Sequence, residues 1–331
     1  MEDSIKRRSK ISDLILSILK KKDPVRIEID QKDHELIRSL IDANHDGKVT
    51  LDELKKSLHD WLPVEGGRAA LVVVDLQNDF LIGSLVVPGG VEAVTNTNEL
   101  RKRFKFDVVA HTRDWHPADH CSFAANWNAQ QFSVRKIPAA GGSVGATIDQ
   151  VMWPTHCVQK TSGADFHKDL VVAKTDYIVD KGTKQNVDSY SGFFDNSKGS
   201  ETTLRAHLKQ QGISEVYVVG VAFDYCVGST ALDAVDCGFA AYVVDDCSSS
   251  VKPESRAAMQ ERLRAAGVDV VTTAEMTAPG FAARRQKKRV GGLLEAVRRL
   301  ARRRGLDKGP LDTHHVPEFE ELNPNLVSFR R

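Results

Sequence analysis

Val219–Cys226 reads VGVAFDYC. A β-branched run, Val216 to Val221, climbs into it, and apolar residues at helical spacing leave it at Val227, Ala231, Leu232 and Val235. This predicts a strand ending in a tight turn, with a cysteine on the first turn of a helix. A helix N-terminus presents free N–H groups and a partial positive charge. Both favour the thiolate, the nucleophilic form of cysteine, and the same N–H groups can hold an oxyanion. Taken alone, Cys226 also fits a small apolar packing residue, so the rest of the chain has to decide.

Outward from this stretch the alternation repeats. Ala69–Asp75 (AALVVVD), Asp107–Arg113 (DVVAHTR), Asp176–Gly182 (DYIVDKG), Glu215–Val221, Ala240–Asp246 and Val268–Thr272 read as strands. Helical patterns fall between them at Val91–Phe104, Ser200–Gln211, after Cys226, and at Pro253–Ala266. Apolar strands separated by helices predict an α/β fold with a parallel sheet covered on both faces. In such sheets, sites form at the carboxyl ends of strands. Asp75, Asp114, Lys181 and Cys226 all fall at or just beyond such ends. That shared address raises Cys226 above a packing residue.

A nucleophilic cysteine needs a base, and a carboxylate such as Asp75 can serve. The Lys181 ammonium beside it would favour both the carboxylate and the thiolate. Asp114 and His116, two apart after a strand, and His156, after the rigid Trp153-Pro154, form a candidate metal set. One carboxylate and two imidazoles suit a divalent metal with open positions, zinc first, with iron and manganese also accepting such ligands. His120 and Ser122 are further candidates. Any one of these histidines by itself fits an ordinary polar loop residue.

Five segments occur in order: VVDLQNDF (Val73–Phe80), HTRDWHP (His111–Pro117), WPTHCV (Trp153–Val158), IVDKG (Ile178–Gly182) and GVAFDYCV (Gly220–Val227). Together they resemble the nicotinamidase branch of the isochorismatase-like cysteine hydrolases, over about residues 69–273. The resemblance implies a six-stranded parallel sheet with helices on both faces. It implies a catalytic set of Asp75, Lys181 and Cys226, and metal ligands Asp114, His116 and His156, with Ser122 as an accessory ligand. Phe80, Trp153 and Tyr225 match residues that enclose a pyridine ring. The Val221–Ala222 peptide matches one that is cis in the family, and it puts the Ala222 N–H beside that of Cys226 in the oxyanion hole. The implied reaction is nicotinamide hydrolysis to nicotinate and ammonia, with the metal holding the ring nitrogen. Pyrazinamide, with a nitrogen in the same place, is an expected second substrate.

Three features lie outside the resemblance. Residues 1–65 predict a small helical arm, ending at the linker Gly66-Gly67. Asp42–Glu53 (DANHDGKVTLDE) fits an EF-hand calcium loop, with ligands from Asp42, Asn44, Asp46, the Lys48 carbonyl, Thr50 and Glu53, and Gly47 at the sharp turn. No second intact loop is present in the sequence. The arm resembles that of the animal nicotinamidases. A Gly-rich stretch, Ala139–Ala146, separates the two metal-binding segments at a place where it can line or cover the entrance.

The domain expected at residues 66–280 is followed by a basic tail, residues 281–331. Arg284–Arg304 holds ten Lys/Arg against Glu295, a local +9, whereas the whole 331-residue chain is +1; the remainder is therefore −8. The tail reads as a surface for an acidic partner or an anionic membrane, as a nuclear address, or as a solvated segment. No sequence-specific nucleic-acid binding is expected, and a homo-oligomer is left open. The five cysteines show no disulfide framework. The apolar run Leu14–Leu19 is too short for a leader or a span. The expected setting is therefore a reducing cytoplasmic compartment, with the nucleus as a second address. Two further function classes stay in play: a sibling amidase, and a calcium-responsive binding protein on a retired hydrolase fold.

Overall fold

In a computed structural model, residues 67–139 and 145–285 are described. The predicted EF-hand arm and the basic tail beyond residue 285 lie outside them. Six strands form one parallel sheet: β1 (Arg68–Val74), β2 (Val108–Asp114), β5 (Tyr177–Lys181), β6 (Ile213–Val221), β7 (Ala240–Ser249) and β8 (Asp269–Val271). Their order is β5-β2-β1-β6-β7-β8. The chain therefore builds outward from β1 to β5, then returns to the other side of β1 with β6. The β1/β6 boundary is the topological switch point, where open α/β sheets place their ligands.

Alternation along each strand divides the core into two layers. Leu71, Val73, Tyr217, Val219, Tyr242 and Val244 pack with Ala93, Val94 and Leu100 of α2 (Gly90–Arg103). Ala70, Val72, Val74, Val216 and Val218 face the other way. There they meet Leu204 and Leu208 of α3 (Leu204–Gln210), Ala231 and Ala234 of α4 (Gly228–Asp236), and Met259 and Leu263 of α5 (Pro253–Ala265). Each fully buried aliphatic side chain adds about 1.5–3 kcal/mol relative to exposure. Helices thus cover both faces, as the alternating pattern requires. Two short helices, α1 (Asn78–Leu81) and α6 (Thr273–Thr277), complete the set among the described residues.

The two central strands approach closely at their carboxyl ends. Gly220, with φ at 113°, pairs with Val74, and a Cβ on it would lie 2.1 Å from the Val74 carbonyl oxygen. Only glycine fits there. The Val221–Ala222 peptide that follows is cis.

One element was not foreseen. β3 (Val134–Pro138) and β4 (Thr147–Val151) pair antiparallel on either side of the Gly-rich stretch. Most of their side chains are exposed, and Lys136 and Asp149 form a surface ion pair at 2.8 Å. Their β-branched residues (Val134, Ile137, Thr147, Ile148 and Val151) are interrupted by charged and polar ones, so neither strand shows the unbroken apolar run that marks the central sheet.

Candidate active site

Residues at four strand ends converge at the switch point. Asp75 follows β1 in a left-handed conformation, φ 52°, and its side chain is fully buried. Asp114 and Lys181 close β2 and β5 and are register partners. Cys226 lies in a π-helical turn, Phe223–Val227, between β6 and α4.

Lys181 joins these groups. Its Nζ lies 2.9 Å from Asp75 Oδ2, 2.5 Å from Asp114 Oδ1 and 3.4 Å from Cys226 Sγ, and it also donates to the Ser189 carbonyl at 2.9 Å. The Thr112 hydroxyl donates to Asp75 Oδ1 at 2.7 Å. Burial pushes Asp75 up to about 6, with the Asp114 charge adding to it, and the Lys181 ammonium and Thr112 pull the other way. Burial also favours a neutral Lys181, but the two carboxylates outweigh it and hold the ammonium well above the usual lysine range.

Burial raises the Cys226 thiol well above its usual range; Lys181 pulls it down, and the charges of Asp75 and Asp114 add to the rise. The helix terminus and Lys181 favour the thiolate, but desolvation wins, and Cys226 rests as a thiol beside the Asp75–Lys181 pair. The π turn sets its backbone. The Ala222 carbonyl accepts from Tyr225 N–H and from Val227 N–H, both at 3.0 Å, the second an i→i+5 bond that skips Cys226.

Asp114 spends its other oxygen on a second corner. Its Oδ2 lies 3.4 Å from His116 Nε2 and 3.8 Å from His156 Nε2. Backbone carbonyls fix both rings: Gly182 C=O is 2.8 Å from His116 Nδ1, and Pro154 C=O is 2.7 Å from His156 Nδ1. A carbonyl can only accept, so each Nδ1 carries a proton, and each Nε2 is the atom that would meet a cation. Burial and the neighbouring His116 push His156 down to about 4, which keeps it neutral. Gly182, φ 60°, is needed here: a Cβ would meet His116 Cε1 at 2.3 Å. Two anchored imidazoles and one carboxylate oxygen, all buried and within 4.8 Å of one another, fit a divalent metal at this site.

The other predicted residues gather around these two corners. Phe80 packs on the His156 ring at 5.3 Å, and Trp153 and Tyr225 meet edge to face at 4.8 Å. Ser122 lies one step further out, with its hydroxyl 2.8 Å from Nδ1 of His120, whose ring stacks on His116 at 4.0 Å.

Four other residues escaped the sequence reading as contributors. Gln77 bridges β1 and β2, accepting from Asp114 N–H and donating to Asp114 C=O, each at 2.8 Å. Asp79 accepts from the Cys157 N–H at 2.7 Å and so holds the turn after His156. Thr112 orients Asp75, and Tyr190 accepts from the Trp153 indole at 3.2 Å and packs on Tyr225 at 5.5 Å. Gln77 and Asp79 sit inside one of the five segments; Tyr190 carries no signal that separates it from a core aromatic.

A sequence model of the isochorismatase domain matches residues 69–275. The chain belongs to the isochorismatase family. Among its relatives in that family, the nicotinamidase of Acinetobacter baylyi is 38% identical over 189 residues, 56% of this chain and 84% of the relative. The solved structure of the yeast nicotinamidase bound to the inhibitor nicotinaldehyde matches with TM-score 0.60 and 33% identity, covering 62% of this chain and all of the other. A pyrazinamidase of Pyrococcus horikoshii in complex with zinc matches with TM-score 0.50 and 34% identity, covering 62% of this chain and 99% of the other.

Proposed function

We infer that the protein is a nicotinamide amidohydrolase that works through a cysteine thioester. One observation carries the chemistry: a single buried ammonium, Lys181, touches the Asp75 carboxylate, the Cys226 sulfur and the Asp114 carboxylate at the switch point of the sheet. The nicotinamidases among its relatives, from a bacterium and from yeast, support the substrate.

Asp75 takes the thiol proton as Cys226 attacks the amide carbon, so the costly buried thiolate never accumulates. Lys181 holds the charge of both partners while the proton moves. The C=O π electrons shift to oxygen, which the N–H groups of Ala222 and Cys226 receive. Asp75 returns the proton to the departing nitrogen, ammonia leaves, and the thioester remains. Asp75 then takes a proton from water as the water attacks, nicotinate departs, and the thiol is restored.

Phe80, Trp153 and Tyr225 form the apolar walls for the ring. Asp114, His116 and His156 would hold the divalent metal, zinc by the donor set and by the zinc-bound pyrazinamidase it resembles. When bound, that metal supplies a Lewis-acid anchor for the ring nitrogen. The test is ammonia release from nicotinamide by the purified protein, with pyrazinamide and an acyclic carbamoyl compound alongside. Cys226→Ala is expected to cut turnover by about 10⁴-fold or more; substantial remaining turnover would sink the mechanism, and preference for the acyclic compound would move the assignment to a sibling amidase.

Asp42–Glu53 adds a calcium loop to this enzyme in the manner of the animal nicotinamidases. Calorimetry checks it: calcium heat is expected with the parent and lost with Glu53→Gln, and equal heats would remove the loop.

A further inference from the structure

Asp188 is the acid of this region that no catalytic step above uses. It is 3% exposed, and both of its oxygens are held: Oδ1 accepts from the Ser189 N–H at 2.8 Å and Oδ2 from Gln150 Nε2 at 2.9 Å. Its carboxylate, His116 and His120 present donor atoms within 4.8 Å of one another. Its charge acts on His116, His120 and His156 alike, favouring their protonated forms. It therefore flanks the metal corner at a place separate from the predicted carboxylate ligand, Asp114.

The charges explain why an acid is placed there. Asp75, Lys181 and Asp114 are buried together and sum to −1. Adding a divalent cation turns that sum to +1, an uncompensated charge in a medium that penalises it. A fourth ionised group, Asp188, brings the loaded centre to zero. Its holder carries a second sign of a ligand. Gln150 is 1% exposed, and once its amide nitrogen is committed to Asp188 its Oε1 has no hydrogen-bond donor among the described residues. A buried acceptor left open one hydrogen bond away from Asp188 suits an ordered water.

We propose that Asp188, held by Gln150 and lying beside the His116–His120 pair, is the charge-balancing carboxylate of the metal centre and sets how tightly the cation is kept. The proposal rests on the metal reading given above. The β3–β4 hairpin thereby gains a role: it delivers Gln150, and with it the orientation of Asp188.

The test is Zn²⁺ affinity of the full-length protein, measured by competition with a chromophoric chelator, beside melting temperatures with and without Zn²⁺. Asp114→Asn serves as the reference that loses the metal. Asp188→Asn is expected to bind Zn²⁺ about 10- to 100-fold more weakly than the parent. Asp188→Glu, which keeps the charge, is expected to lose far less. The metal-free Asp188→Asn protein should melt no lower than the metal-free parent, while its gain on adding Zn²⁺ shrinks; a purely structural role would lower both alike.

Parent-like affinity in Asp188→Asn, with Asp114→Asn defective, overturns the proposal and leaves the metal reading intact. Equal losses in the Asn and Glu variants also overturn it, since charge would then not be the cause. A parent that binds no Zn²⁺ overturns both readings. Should Asp188→Asn not fold, Gln150→Met carries the test: a weaker grip is expected, and unchanged affinity counts against the proposal.

Discussion

Two clusters sit at opposite ends of the β2–β5 strand pair, each pairing a buried carboxylate with a cationic side chain. At the carboxyl end, Asp75 and Asp114 share Lys181 beside a thiol. At the other end, Asp176 meets Arg101 and His111. Asp176 is fully provided for. Its Oδ2 meets Arg101 Nη1 at 2.9 Å, the Ala173 N–H at 2.9 Å and His111 Nε2 at 3.0 Å, and its Oδ1 accepts from Arg101 Nη2 at 3.1 Å. Burial pushes Asp176 up, but these donors outweigh it and hold the carboxyl below its usual range. Asp75 has one hydroxyl and a share of one ammonium, and burial prevails, to about 6. The number of donors separates an acid that staples the fold from an acid that can exchange a proton.

The comparison can be broken by removing each charge in turn. Asp75→Asn keeps the shape and abolishes the base, so turnover should fall about 10³-fold or more with little loss of stability, read by ammonia release and thermal melting. Asp176→Asn should do the reverse. Turnover at 25 °C stays within a few-fold, while stability drops by about 2 kcal/mol because Arg101 and His111 face a neutral amide. Matching effects of the two variants on turnover would erase the distinction.

A finer test uses pH. Asp75 must be ionised to accept a proton, and it is ionised above about 6. The rate constant kcat/KM should therefore hold above that value and fall tenfold per unit as pH drops through it. Thr112→Val removes the hydroxyl that lowers Asp75. It should move that acid limb to higher pH, by less than about one unit, at little cost in turnover above pH 8. A limb that stays in place would show that Thr112 does not tune the base.

The six central strands were legible because burial on both faces demands unbroken β-branched runs, and Val72–Val74 or Val216–Val221 admit little else. The positions of Asp75, Asp114, Lys181 and Cys226 followed from where those runs stop. What stayed hidden depends on long-range partners. Thr112 lies within a strand pattern in which threonine is commonplace, and only the fold aims its hydroxyl at Asp75. Gln150 and Asp188 lie 38 positions apart and meet only once the hairpin forms. How far the thiol is held protonated stayed hidden for a related reason. A helix terminus is visible in sequence, whereas the depth of burial that opposes it depends on the whole core.

Lys181 and Gly182 are neighbours in the chain. The side chain of the first reaches the sulfur, and the carbonyl of the second anchors the imidazole of His116. One peptide unit, about 3.8 Å between Cα atoms, thus acts as a ruler between the end of the pocket that would cut the amide and the end that would grip the ring. A rigid ruler measures its substrate. Nicotinamide and pyrazinamide present a nitrogen at the same spacing from the carboxamide. Isonicotinamide puts its nitrogen one ring position further away, and it cannot meet both marks at once.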